Sequence, residues 1–251
     1  MLKFPRGFLG KLMIFLNNYM SPFDFIYPGR FMIIGKDAGA YVVVYGATGR
    51  SPSSLARCFV QKGNGIFMGG VDETVKQGNQ ELLEYPAVQM FDNGIVVANG
   101  THIKHITELQ SRDARQQLSY ALTEEAYEPD EYRTPRITGC IIESSKGVDG
   151  ALHIVRSASD GIDHASWSLS FEEGVGSYIG TYIGDDVKPT PSFAGDPISV
   201  PLAFGSAKIA AKGIFDLYAP KVGQLDYRVG VIAIYKKLGE QAEIAIVNRI
   251  S

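Results

Sequence analysis

The sequence predicts an α+β fold in which two antiparallel sheets pack face to face and helices cover their outer faces, a four-layer αββα sandwich. Three observations support this class. Short strand-like segments recur along the 251 residues and are separated by turn signals. Only two segments have the periodicity of a substantial helix. Each follows a run of hairpins, whereas a doubly wound parallel sheet would alternate strands and helices.

The strands are predicted from apolar segments bounded by Gly, Asn, Asp and Pro. The strongest turn signal is Asp92-Asn93-Gly94, because Asn and Gly tolerate the positive φ of a tight hairpin turn. Lys36-Asp37-Ala38-Gly39 and Lys62-Gly63-Asn64 mark two more hairpins. The predicted strands cover residues 26–35, 40–46, 57–61, 65–69, 86–91, 95–98, 136–142, 151–156, 166–171, 176–182, 227–236 and 242–248.

Two helices are predicted, over residues 105–126 and 199–217. In the first, apolar residues recur mostly at three- and four-residue spacing with charged residues between them, which is the pattern of an amphipathic helix. No repeat, low-complexity tract or long linker divides the chain. We therefore expect one domain over residues 27–251. Residues 1–26 are expected to be an extension that packs on the domain or on a partner subunit.

Composition and charge exclude several classes of protein. The formal net charge is −3 and no long basic block is present, so no nucleic-acid partner is expected. The longest apolar run near the N-terminus, Leu12-Met13-Ile14-Phe15-Leu16, is far shorter than the roughly 20 residues of a membrane span, and no signal peptide is evident. Cys58 and Cys140 form no disulfide framework. Together these observations predict a cytoplasmic protein without a membrane partner.

The tetrapeptide Asn99-Gly100-Thr101-His102 permits four interpretations: a glycosylation sequon, part of a histidine metal site, an ordinary loop after a strand, or a loop that touches a substrate. The sequon matters only in a secreted chain, so it is set aside. His102 and His105 are three residues apart, which alone is a weak metal signal, and we expect no metal site. The last two interpretations remain open.

Two further segments combine charge with turn residues. Five carboxylates lie between Glu124 and Glu131, at the end of the first predicted helix, where the helix dipole disfavours acids, and Arg133 and Arg136 follow at once. This segment could be a salt-bridged corner or a polar site. Arg50 and Arg57 bracket a loop rich in Gly, Ser and Pro, which could hold a phosphate or be an ordinary surface loop.

Several of these segments occur in the same order, and at similar spacing, in a known family. Together they resemble the archaeal-type inosine monophosphate cyclohydrolases, over roughly residues 27–200. The most specific pieces are Asn-Gly-Thr-His and the Thr-Pro-Arg after the acidic segment. The matching segments are Tyr27-Pro28-Gly29-Arg30, Gly49-Arg50-Ser51, Val96-Val97-Ala98-Asn99-Gly100-Thr101-His102, Tyr127-Glu128-Pro129-Asp130-Glu131, Thr134-Pro135-Arg136-Ile137 and Tyr178-Ile179-Gly180-Thr181-Tyr182.

The resemblance implies a fold like that of the N-terminal-nucleophile hydrolases, without their N-terminal nucleophile. It also implies a reaction: 5-formamidoimidazole-4-carboxamide ribotide closes to inosine monophosphate (IMP) and releases water. The partner would be this nucleotide, and no redox cofactor or metal is required. Self-association into a homo-oligomer is left open.

The resemblance also implies roles for individual residues. Tyr85 is expected to donate to the formyl oxygen, and Glu128 to orient or deprotonate the carboxamide. Arg50 and Arg57 are expected at the phosphate. The substrate-binding residues implied in this way are Arg50, Ser51, Arg57, Asn99, Gly100, Thr101, His102, Thr134, Arg136 and Thr181.

Two other functions are compatible with the sequence. One is an amidohydrolase of the N-terminal-nucleophile type, which would need a processed Cys, Ser or Thr at a chain start. The other is a nucleotide-binding relative that keeps the fold and lacks the chemistry.

Overall fold

A computed structural model describes residues 21–71, 80–110, 113–183, 187 and 190–250. Over these residues the chain is an α+β protein whose thirteen strands form two antiparallel sheets. Among the helices of this part, none is long and apolar enough to cross a membrane.

The first sheet contains six strands: β1 (Arg30–Asp37), β2 (Ala40–Thr48), β10 (Val175–Gly180), β11 (Ile198–Pro201), β12 (Arg228–Lys236) and β13 (Glu243–Asn248), in the spatial order β11-β10-β1-β2-β12-β13. The second sheet contains seven strands in sequence order: β3 (Arg57–Lys62), β4 (Gly65–Gly70), β5 (Tyr85–Phe91), β6 (Gly94–Ala98), β7 (Arg136–Ser144), β8 (Gly147–Ala158) and β9 (Gly161–Ser168).

The two sheets share one apolar core, and they approach closely at Gly139 of β7. A Cβ atom at Gly139 would lie 2.7 Å from Ile34 Cδ1 and 3.0 Å from Met32 Sδ, both on β1. Successive residues of a strand point to opposite faces, so Met32 and Ile34 share the face of β1 that meets β7. A glycine here lets the backbones of the two sheets come close together.

In the part of the chain that the structure describes, four α-helices connect the strands: α1 (Pro52–Leu55), α2 (Gln80–Leu83), α3 (Ala114–Ala121) and α4 (Ala207–Leu217). Helix α3 packs against β7 and β8, and α4 packs against β12 and β13. Each of these two helices begins at a capping side chain: Asp113 accepts from the Gln116 N–H and Ser206 from the Ile209 N–H. These contacts give each sheet a helix of its own.

Both predicted helices are shorter than the sequence suggested. In place of one helix over residues 105–126, the structure has a 3₁₀ helix at Thr101–His105 and α3 at Ala114–Ala121. Ile106 and Leu109 lie outside both helices but join the same buried cluster as Leu118 of α3, so their spacing imitated a helical stripe. The predicted helix 199–217 begins as strand β11, and α4 starts only after Ser206.

The bounds of several strands also differ from the predicted ones, and two of these differences are informative. The first strand begins at Arg30 because Gly29 has φ +69°, which extended backbone does not adopt. The strand predicted over 166–171 is β9, Gly161–Ser168, which pairs with the whole of the longer β8. Leu169 follows the last residue of β9, and its N–H donates to the Gly150 carbonyl at 2.8 Å.

The segment that precedes β1 packs on helix α4 and strand β10. Pro22–Asp24 form a 3₁₀ helix, and the Tyr218 hydroxyl donates to the Pro22 carbonyl at 3.1 Å. Phe23 meets the rings of Tyr178 and Tyr218 edge-on. Residues 1–20 lie outside the described residues, so the role expected for residues 1–26 stays a prediction.

At one edge of the sandwich, a side chain of the first sheet is hydrogen-bonded to the backbone of the second sheet. Asn248, at the end of β13, accepts from the Phe59 N–H at 2.9 Å through Oδ1 and donates to the Phe59 carbonyl at 3.0 Å through Nδ2. Phe59 belongs to β3 of the other sheet. The amide therefore pairs with the β3 backbone as a neighbouring strand would, and it links the two sheets along this edge.

Candidate active site

A buried ion pair joins the start of β1 to the loop between α3 and β7. Arg30 Nη2 donates to Glu128 Oε1, and the two residues are 8% and 3% exposed. Burial is the largest single influence and acts to lower the pKa of Arg30, but the Glu128 carboxylate and the neighbouring tyrosines together outweigh it, and the pKa rises above its usual value. Burial raises the pKa of Glu128, and Arg30 opposes that rise. The site thus holds a carboxyl group that is a stronger base than an exposed one.

The backbone of Arg30 is held by Thr181. The Arg30 N–H donates to Thr181 Oγ1 at 3.1 Å, and that hydroxyl donates to the Pro28 carbonyl at 3.2 Å. Gly29 makes this approach possible, because a Cβ atom there would lie 2.1 Å from Thr181 Oγ1. Thr181, which the resemblance places in the substrate site, therefore supports the residue that pairs with Glu128.

Two tyrosine hydroxyls meet across the interface of the sheets. Tyr45 of β2 and Tyr85 of β5 are both buried, and their hydroxyl oxygens lie 2.8 Å apart. Burial, followed by the neighbouring Tyr85 hydroxyl, raises the pKa of Tyr45 well above its usual value. Tyr45 therefore stays a neutral hydroxyl that can donate to Tyr85.

Arg57, at the start of β3, is only 2% exposed, and its Nε donates to the Ser54 carbonyl at 2.9 Å. Burial lowers the pKa of Arg57, and the ionisable groups that affect it most are Tyr85, which raises it, and Arg30, which lowers it. We use the name interior cluster for Arg30, Tyr45, Arg57, Tyr85 and Glu128. These five residues combine two guanidinium groups, one carboxylate and two hydroxyls.

Asn99 connects the interior cluster to β7. Its Oδ1 accepts from the Ile137 N–H at 2.7 Å and its Nδ2 donates to the Pro135 carbonyl at 2.9 Å. The same Nδ2 lies 3.5 Å from Glu128 Oε1. Asn99 thus fixes the chain that leads into β7 beside the carboxylate, and its expected contact with substrate stays a prediction.

The loop that carries Glu128 closes on itself through Thr134 and Asp130. The Glu128 N–H donates to the Thr134 carbonyl at 2.8 Å. The Thr134 N–H and hydroxyl both donate to the Asp130 carboxylate, at 2.8 and 2.5 Å. Thr134 Oγ1 also lies 2.6 Å from the Tyr182 hydroxyl, and both of these residues are buried.

Arg50 lies half-buried among tyrosine rings. Its guanidinium carbon is 4.7 Å from the ring centroid of Tyr27 and 4.4 Å from that of Tyr132, and its Nη1 donates to Thr190 Oγ1 at 2.8 Å. The Tyr182 ring is the third neighbour, at 5.9 Å. Tyr182 therefore places Arg50 next to the loop that carries Glu128.

Ser51, the neighbour of Arg50, is exposed and caps helix α1. Its hydroxyl accepts from the Ser54 N–H at 3.1 Å, and the Ser54 hydroxyl accepts from the Ser51 N–H at 2.9 Å. This reciprocal capping box fixes the loop between Arg50 and Arg57.

His102 and Arg136 form a second polar group. His102 Nδ1 accepts from Arg136 Nη1 at 3.2 Å, so Nε2 carries the proton and donates to Thr138 Oγ1 at 2.9 Å. Burial, helped by the charge of Arg136, lowers the pKa of His102 to about 3. Arg136 also contacts Glu125 Oε2 at 3.4 Å, and Glu125 Oε1 contacts His105 at 2.8 Å.

The rest of the Asn-Gly-Thr-His tetrapeptide adjoins this second group. Gly100 is buried, and a Cβ atom there would lie 3.2 Å from His102 Nδ1. Thr101 is half-buried and begins the 3₁₀ helix that carries His102. Across the described ranges, no group of three or more His, Cys, Asp or Glu side chains is arranged to hold a metal ion.

Four residues of these networks escaped the sequence reasoning: Arg30, Tyr45, Asp130 and Tyr182. Arg30 ends the segment Tyr27-Pro28-Gly29-Arg30, which carried the resemblance, and it precedes the apolar run of β1. Tyr45 lies in an apolar strand, where a core role is the ordinary interpretation. Asp130 and Tyr182 also belong to segments that carried the resemblance, but nothing in the spacing of these three residues assigns them a role.

Comparisons with known proteins agree with the resemblance. Residues 27–239 match the family described as IMP cyclohydrolase-like protein. An IMP cyclohydrolase of Methanocaldococcus jannaschii is 29% identical over 159 residues, which are 62% of this chain and 73% of that protein. IMP cyclohydrolases of Haloquadratum walsbyi and Thermococcus kodakarensis are 34% and 35% identical, over 48% and 46% of this chain. The matches span 59% and 56% of these two curated relatives. The match over residues 27–239 establishes that the chain belongs to the IMP cyclohydrolase-like protein family.

Proposed function

We propose that this protein is an IMP cyclohydrolase, which closes 5-formamidoimidazole-4-carboxamide ribotide to IMP with loss of water, the last step of de novo purine synthesis. The observation that carries the proposal is the interior cluster, in which a buried carboxylate is paired with Arg30 and Arg30 in turn interacts electrostatically with a pair of tyrosine hydroxyls and a second guanidinium. Membership of the family and the names of its relatives support the same reaction.

The reaction sets clear demands on the site. The carboxamide nitrogen attacks the formyl carbon, and the formyl oxygen leaves as water with two protons, one from the carboxamide and one from the formamido nitrogen. Amide nitrogen is a poor nucleophile, so the two groups must be held in attack geometry, which can supply about 7–11 kcal/mol of the barrier. A base, an acid and donors to the developing oxyanion are also needed.

Glu128 is the base in this proposal. It takes a proton from the carboxamide as the new C–N bond forms, and burial makes it a stronger base than an exposed carboxylate. Arg30 keeps the carboxylate in place and offsets its charge inside the protein. Without Arg30, burial would favour the protonated form of Glu128, which cannot act as a base.

Tyr85 is the donor to the formyl oxygen. Tyr45 donates to the Tyr85 hydroxyl, which leaves the Tyr85 proton for the substrate. Arg57 was expected with Arg50 at the phosphate. Because Tyr85 and Arg30 are the ionisable groups that most affect the pKa of Arg57, we assign Arg57 to the oxyanion that develops on the formyl oxygen.

Arg50 is assigned to the 5′-phosphate, with Ser51 beside it. A half-buried guanidinium among tyrosine rings suits a phosphate, because arginine donates several N–H groups in one plane. The remaining assignments follow the resemblance and are part of the proposal: Asn99, Gly100, Thr101, His102, Thr134, Arg136 and Thr181 line or support the nucleotide site.

The wider setting is proposed with the activity. We assign the four-layer αββα arrangement of the N-terminal-nucleophile hydrolases to this chain, and a cytoplasmic location. The boundary between an extension and a domain at residue 26 belongs to the same proposal, and the oligomeric state is left to measurement.

The test mixes the purified protein, treated with a chelator, with the formamido ribotide and follows the absorbance of IMP. Product should form well above the uncatalysed rate and without added metal. A rate equal to the uncatalysed one contradicts the proposal, and binding of IMP without turnover would instead favour a nucleotide-binding relative. An intact mass that reveals cleavage before a Cys, Ser or Thr would favour the amidohydrolase alternative.

A further inference from the structure

The side chains of Tyr182, Thr134 and Asp130 hold the Glu128 loop through a chain of hydrogen bonds, in which each hydroxyl donates to the next residue. The Thr134 hydroxyl has a single proton, and it is given to Asp130 Oδ2, 2.5 Å away, because an ionised carboxylate only accepts. At the 2.6 Å contact between Thr134 Oγ1 and Tyr182, the tyrosine must therefore be the donor. Burial raises the pKa of Tyr182 above its usual value, which keeps this proton in place.

The backbone of Thr134 is also hydrogen-bonded to the backbone of Glu128. Its carbonyl accepts from the Glu128 N–H at 2.8 Å, while its own N–H donates to Asp130 Oδ1 at 2.8 Å. A turn between Asp130 and Thr134 is closed by a hydrogen bond of 3.1 Å from the Arg133 N–H to the Asp130 carbonyl, and Arg133 has φ +49°. Asp130 therefore specifies the path of the chain immediately after Glu128.

Tyr182 is hydrogen-bonded to the two segments that carry the partners of the buried ion pair. Its hydroxyl reaches the Glu128 loop through Thr134, and its N–H donates to the Pro28 carbonyl at 3.3 Å, two residues before Arg30. The preceding residue, Thr181, bonds Arg30 directly, with its N–H on the Arg30 carbonyl at 2.8 Å. The relative position of Arg30 and Glu128 thus depends on one short segment that follows β10.

We propose that Tyr182 and Asp130 are positioning residues for the cyclohydrolase reaction, which hold the Glu128 carboxylate in register with Arg30. The inference rests on the proposed function, since it assigns Glu128 the role of base. Neither residue contacts the reacting atoms in this scheme. Their loss should therefore lower the rate of the chemical step and leave substrate affinity nearly unchanged.

The experiment compares Tyr182→Phe, Asp130→Asn and the double variant with the wild type. Each single variant should lower kcat about tenfold or more and change KM less than threefold, because small errors in the position of a catalytic group are costly. Since both residues act through Thr134, the double variant should be little worse than the poorer single variant. Fully multiplicative losses, or a rise in KM with kcat unchanged, would overturn the proposal.

Tyr235→Phe is the matched control. Like Tyr182, Tyr235 is a buried tyrosine. It lies on β12 of the first sheet, and its hydroxyl donates to Asp37 Oδ2 at 2.7 Å. The Tyr235→Phe variant should lose as much thermal stability as Tyr182→Phe and keep the wild-type kcat. If Tyr235→Phe lowers kcat as much as Tyr182→Phe, the effect is general destabilisation and the inference fails. An inactive wild type would instead refute the proposed function.

Discussion

The hydroxyl oxygens of Tyr45 and Tyr85 lie 2.8 Å apart, although the two residues belong to different sheets. Removing the Tyr85 hydroxyl should lower kcat about 100-fold or more, which is the usual contribution of a positioned proton donor. Tyr85→Phe keeps the ring and therefore the packing. Single-turnover measurements with the formamido ribotide check the prediction, and wild-type turnover in this variant would refute the assignment.

Tyr45→Phe should lower kcat less, by about tenfold, because Tyr45 acts only through the Tyr85 hydroxyl. In a Tyr85→Phe background the second substitution should have almost no effect on rate, since its partner is already gone. The measurement is a double-mutant cycle on kcat. Equal effects of Tyr45→Phe in the two backgrounds would mean that the hydroxyl pair has no catalytic role.

The Arg30–Glu128 pair predicts an unusual order of stabilities. Arg30→Met leaves the Glu128 carboxylate buried without its cation and should lower the free energy of unfolding by about 3–5 kcal/mol. The double variant Arg30→Met/Glu128→Leu removes both charges and should regain much of that loss, with no activity. Urea unfolding monitored by fluorescence tests this order. A double variant as unstable as the sum of its single variants would show that the pair is not isolated from water.

Two buried histidines predict that stability falls in mild acid. Burial lowers the pKa of His102 to about 3 and that of His153 to about 4, the latter helped by His164. The unfolded chain therefore binds more protons below the ordinary value near 6.5, and the stability present above that pH is lost progressively below it. Each of the two histidines should lower the free energy of unfolding by roughly 2 kcal/mol as the pH falls from 7 to 5.

Urea unfolding at several pH values measures this loss. His153→Gln removes one of the two titrations, so the decline of the unfolding free energy between pH 7 and pH 5 should become about half as steep. A decline for His153→Gln as steep as that of the wild type would contradict the assignment of the buried pair.

Gly29 and Gly39 allow a comparison of two glycines with similar backbone. Their φ values are +69° and +75°, but a Cβ atom at Gly29 would meet Thr181 at 2.1 Å, whereas one at Gly39 meets nothing within 4 Å. Gly39→Ala should cost about 1 kcal/mol, from backbone strain alone. Gly29→Ala should cost several times more and also abolish activity, because it displaces Arg30. Similar melting temperatures for the two variants would show that the contact with Thr181 relaxes freely.

The sequence was most informative where local chemistry decides the outcome. The β5–β6 hairpin lies where Asp92-Asn93-Gly94 predicted a turn. Phe91 pairs with Gly94, so the turn itself is Asp92-Asn93, and none of these three residues has the positive φ on which the prediction rested. The helix expected over residues 105–126 was wrong in extent, because burial of Ile106 depends on packing under α3 and not on its own backbone. Apolar spacing reports burial, and burial does not need a helix.

The candidate site divides in the same way. The resemblance implied roles for Tyr85 and Glu128, but Arg30 is 98 residues from Glu128 along the chain, and no local pattern joins them. The role proposed for Tyr182 was equally hidden, because it depends on a hydroxyl contact with Thr134, 48 residues away. Pairings of this kind arise from the order of strands in the sheets.

The amide of Asn248 makes the edge at β3 a seam between the two sheets. Arg57 lies two residues before Phe59 on the same strand, and Arg249 donates to the Leu55 carbonyl at 2.7 Å just before it. Hydrogen bonds from Asn248 and Arg249 therefore hold the chain on both sides of Arg57, which fixes the position of Arg57 relative to both sheets.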